Sequence, residues 1–309
     1  MRPPAVLAIH GGAGPSAAVD GDGTGERWAT QAAALAAALQ AGLDVLGRGG
    51  PALEAVVAAV ALLEDDPLWN AGRGSALTAA GTVEMDAALA DGRTGRVGAV
   101  AAVTGVRHPI EAARAVLADR RHVLLAGPGA EAFARRSGLE FKPPDWFVTP
   151  RRLGDLHRLA GQDAEPGGGT VGAIARDRKG HLAAATSTGG RTAQVPGRIG
   201  DTPVPGAGTW ANDATGAVSA TGIGEAFLQV AFAHEIDARI RLTGATLEEA
   251  CRAALEAVGI AGGEGGCLAV GPDGPPLMPF STALMHRAWA EVGGPLLGGA
   301  APGPLAQIG

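Results

Sequence analysis

Apolar and polar positions follow two rhythms along this chain, and glycines mark where one gives way to the other. Ala5–Ile9 is an unbroken apolar run, read as a buried strand ending in a glycine loop, His10–Gly14. Glu26–Leu46 is Ala/Leu-rich with helical spacing, and Gly47-Arg48-Gly49-Gly50 stops it. Pro51 opens a second helix through Leu63, because proline suits a first turn. Thr82–Leu89 and Val97–Val103 predict strands; Pro109–Leu117 and Ala130–Arg136 predict helices. From Gly138 to Gly169 the composition shifts. Lys142-Pro143-Pro144-Asp145-Trp146 is turn-like, and Pro166-Gly167-Gly168-Gly169 is a flexible tract with no core pattern. Thr170–Arg176 and His181–Thr186 then form a β-hairpin signature around the turn Asp177–Gly180. Gly224–Leu242 and Thr246–Val258 predict helices, the second opened by a capping box of Thr246 and Glu249. Gly266–Val270 and Leu277–Phe280 predict strands, and Gly293–Gly309 reads as a frayed end.

Composition narrows the function classes. The 309 residues, 46% of them hydrophobic, suffice for a large core and exclude wholesale disorder. Lys and Arg together number 25 against 31 acidic residues, a formal charge of -6, and only Lys142 and Lys179 are lysines. No basic cluster matches a phosphate backbone, which argues against nucleic acid as a partner. The 50 glycines are far above the usual ~7% of a chain, and many lie beside apolar, strand-like segments. Cys251 and Cys267 make no disulfide framework, and the apolar run at the N-terminus is short for a signal peptide. Uninterrupted apolar stretches fall short of the ~18 residues of a membrane span. A cytoplasmic protein without a membrane partner is expected.

The chemistry-bearing motifs cluster between Thr170 and Thr221. They are Gly169-Thr170-Val171-Gly172, Thr186-Ser187-Thr188-Gly189-Gly190, Gly197-Arg198-Ile199-Gly200-Asp201, Gly206-Ala207-Gly208-Thr209 and Ala220-Thr221-Gly222. A threonine hydroxyl is a poor nucleophile without a base beside it. A free α-amino group on the same residue, with a pKa near 8, is such a base. Making it requires cutting the chain before the threonine, and a glycine tract upstream lets the scissile bond strain. Taken alone, Thr170 reads as a β-branched strand residue and Arg198–Asp201 as a surface ion pair. His10–Gly14 reads as an oxyanion loop or as a plain strand-to-turn segment.

Taken together, these motifs resemble the isoaspartyl peptidase/L-asparaginase family, the plant-type asparaginases, which are N-terminal nucleophile hydrolases. The resemblance runs over nearly the whole chain. It includes Ile9–Gly14, Pro67-Leu68-Trp69-Asn70-Ala71-Gly72-Arg73-Gly74, Glu84-Met85-Asp86-Ala87, the Thr170–Thr221 block and Pro279-Phe280. It implies an α+β fold, a four-layer αββα sandwich, in one domain spanning residues 1–309. It implies autocleavage at Gly169–Thr170 into fragments 1–169 and 170–309, with Thr170 as nucleophile and Thr188 supporting it. Arg198 and Asp201 match the pair that holds the substrate's α-carboxylate and α-amino group. Thr221 and Gly222 match the oxyanion donors, and Asn70 a polar support that also reads as a loop cap. The implied reaction is hydrolysis of β-aspartyl amides, L-asparagine and isoaspartyl dipeptides, by a homodimer of cleaved units. No catalytic cofactor is implied. A structural sodium ion is, held by main-chain carbonyls of Leu63, Glu64, Asp66, Trp69, Ala71 and Arg73.

Three alternatives stand beside this reading. A glycosylasparaginase is disfavoured by the lack of a signal peptide and disulfides. An esterase of the α/β-hydrolase type using His10-Gly11-Gly12 lacks the G-x-S-x-G elbow. An uncleaved, non-catalytic family member is disfavoured by the intact threonine and glycine constellation. The chain departs from common members at Gly168 and at Arg191-Thr192-Ala193-Gln194-Val195-Pro196, which bears on the leaving group.

Overall fold

A computed structural model of the chain describes residues 3–14, 25–159 and 169–309. Met1, Arg2 and the Pro166–Gly168 part of the glycine tract lie outside the described residues. The N-terminal half contains strands β1 (Val6–Gly14), β2 (Met85–Asp91), β3 (Arg96–Val103) and β4 (Leu124–Ala126). Its helices are α1 (Gly25–Gly47), α2 (Ala52–Asp65), α3 (Pro109–Asp119), α4 (Gly127–Arg136), α5 (Pro144–Phe147) and α6 (Pro150–Leu159). The C-terminal half begins with strands β5 (Val171–Arg176), β6 (Leu182–Thr188), β7 (Thr209–Asn212) and β8 (Gly216–Gly222). Helices α7 (Gly224–Gln229), α8 (Phe232–Thr243) and α9 (Leu247–Ile260) follow. Strands β9 (Gly265–Val270), β10 (Leu284–Glu291), β11 (Leu297–Gly299) and β12 (Ala306–Gln307) close the chain.

These elements make a mixed α+β fold with two sheets. The larger runs in the order β12-β11-β10-β1-β5-β6-β2-β3-β4, and the smaller is β7-β8-β9. In the larger sheet β1 lies between β5 and β10, so both halves of the chain supply its centre. Strand alternation explains the unbroken apolar runs. Leu7 and Ile9 of β1, with Ala173 and Ala175 of β5, join one cluster with Leu35, Leu39, Val56 and Val60 of α1 and α2. Their neighbours Val6, Ala8 and Ile174 join a second cluster with Ala217, Leu268 and Val270 of the smaller sheet. A strand buried on both faces has no polar face to show, hence the continuous pattern. A third cluster packs Phe227, Phe232, Ile236 and Ala254 of the late helices against Val218, Ala220 and Ala269. Each large side chain buried in this way contributes about 1.5–3 kcal/mol.

Several expectations hold at the level of single residues. Thr246 accepts from the Glu249 backbone N–H and Glu249 reaches back to Thr246, completing the capping box. Both cysteines are free and buried. Glu26–Gly47 of α1 is long and apolar enough to cross a membrane by length and composition, yet half of its most apolar window is buried.

Other expectations need correction. β1 does not stop at Ile9 but continues to Gly14, with a register shift between His10 and Gly12. The stretch from Gly138 onward contains α5 and α6 rather than only turns. Helix α6 buries Arg152 alone, which donates to the Gly74 carbonyl at 2.6 Å, so no apolar stripe announced it. Gly224–Leu242 is two helices, broken at Ala231 in the left-handed region. Leu277 and Phe280 make only isolated bridges, to Ala269 and Gly266. The C-terminal stretch is not wholly frayed: β11 and β12 pair, and Ile308 is buried.

Candidate active site

Thr170 lies one residue before β5, at the point where the central strand of the larger sheet begins. It is 7% exposed. Its Oγ1 donates to Thr188 Oγ1 at 3.3 Å, and Thr188 Oγ1 donates to the Gly169 carbonyl at 3.1 Å. Thr188 ends β6, which pairs antiparallel with β5, so the hairpin read from the sequence carries both threonines to one edge. Asn70 Nδ2 donates to the same Gly169 carbonyl at 2.7 Å and to the Gly190 carbonyl, also at 2.7 Å. Its Oδ1 accepts from the Ala76 N–H at 2.6 Å, which fixes the amide orientation. Asn70 is therefore more than a loop cap: two donors converge on the carbonyl of the Gly169–Thr170 peptide.

The glycine segment of β1 lies against this peptide. Gly12 has φ +111°, and a Cβ there would stand 3.0 Å from Gly169 Cα and 3.2 Å from Thr170 N. Both the backbone conformation and the close approach require glycine. The next residue, Ala13, donates its N–H to Thr221 Oγ1 at 3.1 Å. Thr221 thus has its lone pair engaged and its own proton available. Gly222 follows at the end of β8. His10 completes the wall from the other side, with Nδ1 2.8 Å from the Thr170 carbonyl oxygen.

Arg198 and Asp201 do not pair as a surface couple. Arg198 is held through Nε and Nη2 by the two oxygens of Glu225, at 2.9 and 3.0 Å. Glu225 sits near the start of α7 and also faces Arg191 Nη1 at 3.5 Å. The sequence reading missed Glu225. A signal was present, since it follows Thr221-Gly222-Ile223-Gly224 directly. Asp201 is 6% exposed, and its Oδ2 is buried without a hydrogen-bond partner. Burial pushes its carboxyl up to about 6, opposed by the nearby Arg198. A Cβ at Gly208 would fall 2.7 Å from Asp201 Oδ2, and one at Gly224 would fall 2.6 Å from Oδ1 and 2.9 Å from Arg198 Nη2. The two glycines leave room around a carboxylate that has unspent acceptor capacity.

A second buried carboxylate supports this loop. Asp86 accepts from the Ala102 N–H at 2.9 Å and from the Gly200 N–H at 3.4 Å. Burial pushes Asp86 up to about 7. Chemically, the arrangement offers a hydroxyl beside a gripped carbonyl, a guanidinium with its Nη1/Nη2 edge unspent on Glu225, and a carboxylate for a cation. Among the described residues no cluster of His, Cys, Asp and Glu could hold a metal ion.

The comparisons with known proteins place the chain in a family. Residues 3–295 match the family model described as Asparaginase. An isoaspartyl peptidase from Salmonella typhimurium is 45% identical, over 94% of this chain and 96% of that protein. One from Escherichia coli is 43% identical, over 94% of each. An isoaspartyl peptidase/L-asparaginase from Xenopus laevis is 40% identical, over 94% of this chain and 93% of that protein. With motifs, fold and near-complete coverage in accord, the chain belongs to the asparaginase family of isoaspartyl peptidase/L-asparaginase hydrolases.

Proposed function

We propose that this protein is an autoprocessed threonine hydrolase that cleaves β-aspartyl amides through a β-aspartyl ester on Thr170. The observation that carries the reading is the convergence on the Gly169–Thr170 peptide. Thr170 Oγ1 lies beside a carbonyl held by Asn70 and Thr188. In processing, Thr170 Oγ attacks the Gly169 carbonyl carbon, and the oxygen that gains charge already faces two donors. The hydroxyl proton passes to the leaving nitrogen as the C–N bond breaks, which moves the Gly169 acyl group onto Oγ and frees the Thr170 α-amine; water then hydrolyses that ester, releasing the Gly169 carboxylate and restoring the hydroxyl. In turnover that amine takes the hydroxyl proton as Oγ attacks the substrate's side-chain carbonyl. Thr221 Oγ–H and the Gly222 N–H receive the oxyanion. The amine leaves protonated, and water hydrolyses the ester. N-terminal sequencing of the purified protein tests the cut. An active preparation that yields only the original N-terminus would sink the mechanism.

The same reading takes the fold as a four-layer αββα sandwich. Support comes from the three apolar clusters, one between the sheets and one outside each. It also takes the loop after α2 as a sodium site. An alkali ion prefers oxygen ligands, and main-chain carbonyls supply them. The Asp66 and Ala71 carbonyls each accept one backbone N–H, from Trp69 at 3.2 Å and Gly74 at 3.0 Å, and each keeps a second lone pair. When bound, sodium would brace this loop, whose Asn70 reaches the Gly169 carbonyl. Sodium chloride should then raise Tm more than an organic ammonium chloride of equal ionic strength. Equal effects would remove the ion from the account.

Substrate scope follows from the clamp. Asp201 takes the α-ammonium and the Nη1/Nη2 edge of Arg198 takes the α-carboxylate. L-asparagine and β-aspartyl dipeptides present both groups. An α-linked aspartyl peptide has lost its free α-carboxylate to the peptide bond, leaving donors unmatched at about 1–3 kcal/mol. L-glutamine carries one methylene more, which displaces its amide from Thr170. Assays on β-Asp-Leu, α-Asp-Leu, L-asparagine and L-glutamine should therefore show turnover of the first and third only. Comparable rates on the α- and β-linked peptides would overturn the clamp.

The clamp also sets a pH dependence. Asp201 must be a carboxylate to accept the ammonium, and its carboxyl titrates near 6 in the free protein. As pH falls below that value, kcat/KM should drop about tenfold per unit. A bound ammonium stabilises the charged carboxylate, so at saturating substrate kcat should lose the Asp201 step and keep only the fall set by protonation of the Thr170 amine. Identical pH profiles of kcat/KM and kcat between pH 8 and 5 would show that Asp201 carries no such role.

A further inference from the structure

A row of buried hydroxyls lies between the two sheets and ends at the nucleophile. Thr209 Oγ1 is 2.7 Å from Thr186 Oγ1, Thr186 Oγ1 is 2.8 Å from Ser219 Oγ, and Ser219 Oγ is 3.0 Å from His10 Nε2. The other ring nitrogen of His10, Nδ1, is 2.8 Å from the Thr170 carbonyl oxygen. The four side chains come from β7, β6, β8 and β1, and all are fully buried. Gly172 makes the crossing possible. A Cβ there would overlap both Ser219 Oγ and His10 Nε2.

The row has one direction. A carbonyl oxygen only accepts, so His10 Nδ1 carries the hydrogen. Burial depresses the ring's pKa to about 3, which keeps it neutral at working pH. Its Nε2 is then an acceptor. The single proton of Ser219 has two acceptors in reach, Nε2 at 3.0 Å and the Ala185 carbonyl at 3.2 Å, and only a bond to the nearer Nε2 leaves that buried ring nitrogen with a donor. Ser219 Oγ then receives from Thr186, and Thr186 from Thr209, whose hydroxyl lies 2.7 Å from Thr186 and 3.2 Å from the Thr202 carbonyl. In this arrangement each hydroxyl donates once, toward Thr170.

We infer that His10, oriented by Ser219 and Thr186, is a positioning residue that fixes the Thr170 peptide plane for nucleophilic attack. The inference rests on the reading of Thr170 as the nucleophile. Thr170 lies beyond the last β1–β5 pair, His10 with Gly172, so the ladder does not hold its carbonyl. After cleavage Thr170 is joined to the chain through that carbonyl alone. The His10 bond then sets the direction in which Cα presents the amine and the hydroxyl. His10 touches neither substrate nor the reacting atoms.

The test has a spectroscopic and a kinetic arm. In the uncut Thr170→Ala chain, 15N NMR should find His10 as the neutral Nδ1–H tautomer, unchanged from pH 8 to 5. In the otherwise unaltered enzyme, Ser219→Ala should lower kcat roughly tenfold to hundredfold, the scale on which a small misplacement acts. KM should stay within about twofold. Thr186→Val, one step further from the ring, should lower kcat less. A loss confined to Tm, with wild-type kcat in both folded variants, would overturn the proposal; so would an Nε2–H tautomer. A wild-type chain that neither cuts nor turns over, with the Nδ1–H tautomer intact, would overturn the nucleophile reading and this proposal with it.

Discussion

Thr170→Ala is expected to give a folded chain that remains one 30.6 kDa polypeptide and has no measurable amidase activity. The substitution removes the hydroxyl and one methyl group and leaves the surrounding residues in place. Asn70 and Thr188 still grip the Gly169 carbonyl, but nothing attacks the carbon between them. Thr188 Oγ1 keeps its bonds to the Gly169 carbonyl and the Gly190 N–H, so no buried hydroxyl is stranded. The stability loss should be about 2 kcal/mol, the net worth of one hydrogen bond and one buried methyl. The rate loss should be about 10⁴-fold or more, as expected when a nucleophile is deleted and only binding remains. Intact mass and circular dichroism read the two effects separately. Asn70→Ala keeps the nucleophile and removes one carbonyl donor. It should cut, but roughly 10²- to 10³-fold more slowly. A Thr170→Ala protein that still appears as two fragments would end the assignment.

Loss of either half of the clamp is the second large effect. Arg198→Ala and Asp201→Ala should each lower kcat/KM on L-asparagine by about 10²- to 10³-fold. That is about 2.7–4.1 kcal/mol, within the ~2–5 kcal/mol typical of truncating one partner of a desolvated charge pair. Arg198 carries an additional burden, because its Nε and Nη2 are spent on Glu225. A guanidinium has five donors in a fixed plane, enough for Glu225 on one edge and a substrate carboxylate on another. Lysine has a single ammonium and no second edge. Arg198→Lys should therefore be nearly as damaging as Arg198→Ala, although the charge is kept. Glu225→Gln places an amide N–H₂ against arginine donors and frees the guanidinium to rotate. It should raise KM about tenfold and leave processing intact. Wild-type kinetics in Arg198→Ala and Asp201→Ala together would move the substrate elsewhere.

How far the chain announces its own structure differs from element to element. The β5 strand, the long α1 helix and the capped α9 helix follow from local pattern, because each buries residues at a regular period. The break between α7 and α8 does not, since no glycine or proline marks it. It is made by distant groups: the Ala233 and His234 N–H groups donate to the Ala207 and Gly206 carbonyls at 3.1 and 2.8 Å. Those donors would otherwise be spent within a continuous helix. Likewise α6 has almost no apolar face, and its order comes from buried Arg152 capping the carbonyl of Gly74.

The sequence by itself determined the chemical parts: the threonines and glycines from Gly169 to Gly222, Arg198 and Asp201, and the helix and strand rhythm that carries them. Tertiary structure alone decided which of those parts meet. Glu225 reaches Arg198 across 27 residues, His10 reaches Thr170 across 160, and Ser219 reaches His10 across 209. Local periodicity says which face a side chain takes. It says nothing about what the neighbouring strand presents there, which depends on sheet order and register. Arg198 and Asp201, three apart in sequence, looked like a pair. The fold instead gave Arg198 to Glu225, which α7 places against it, and left Asp201 with an unspent buried oxygen.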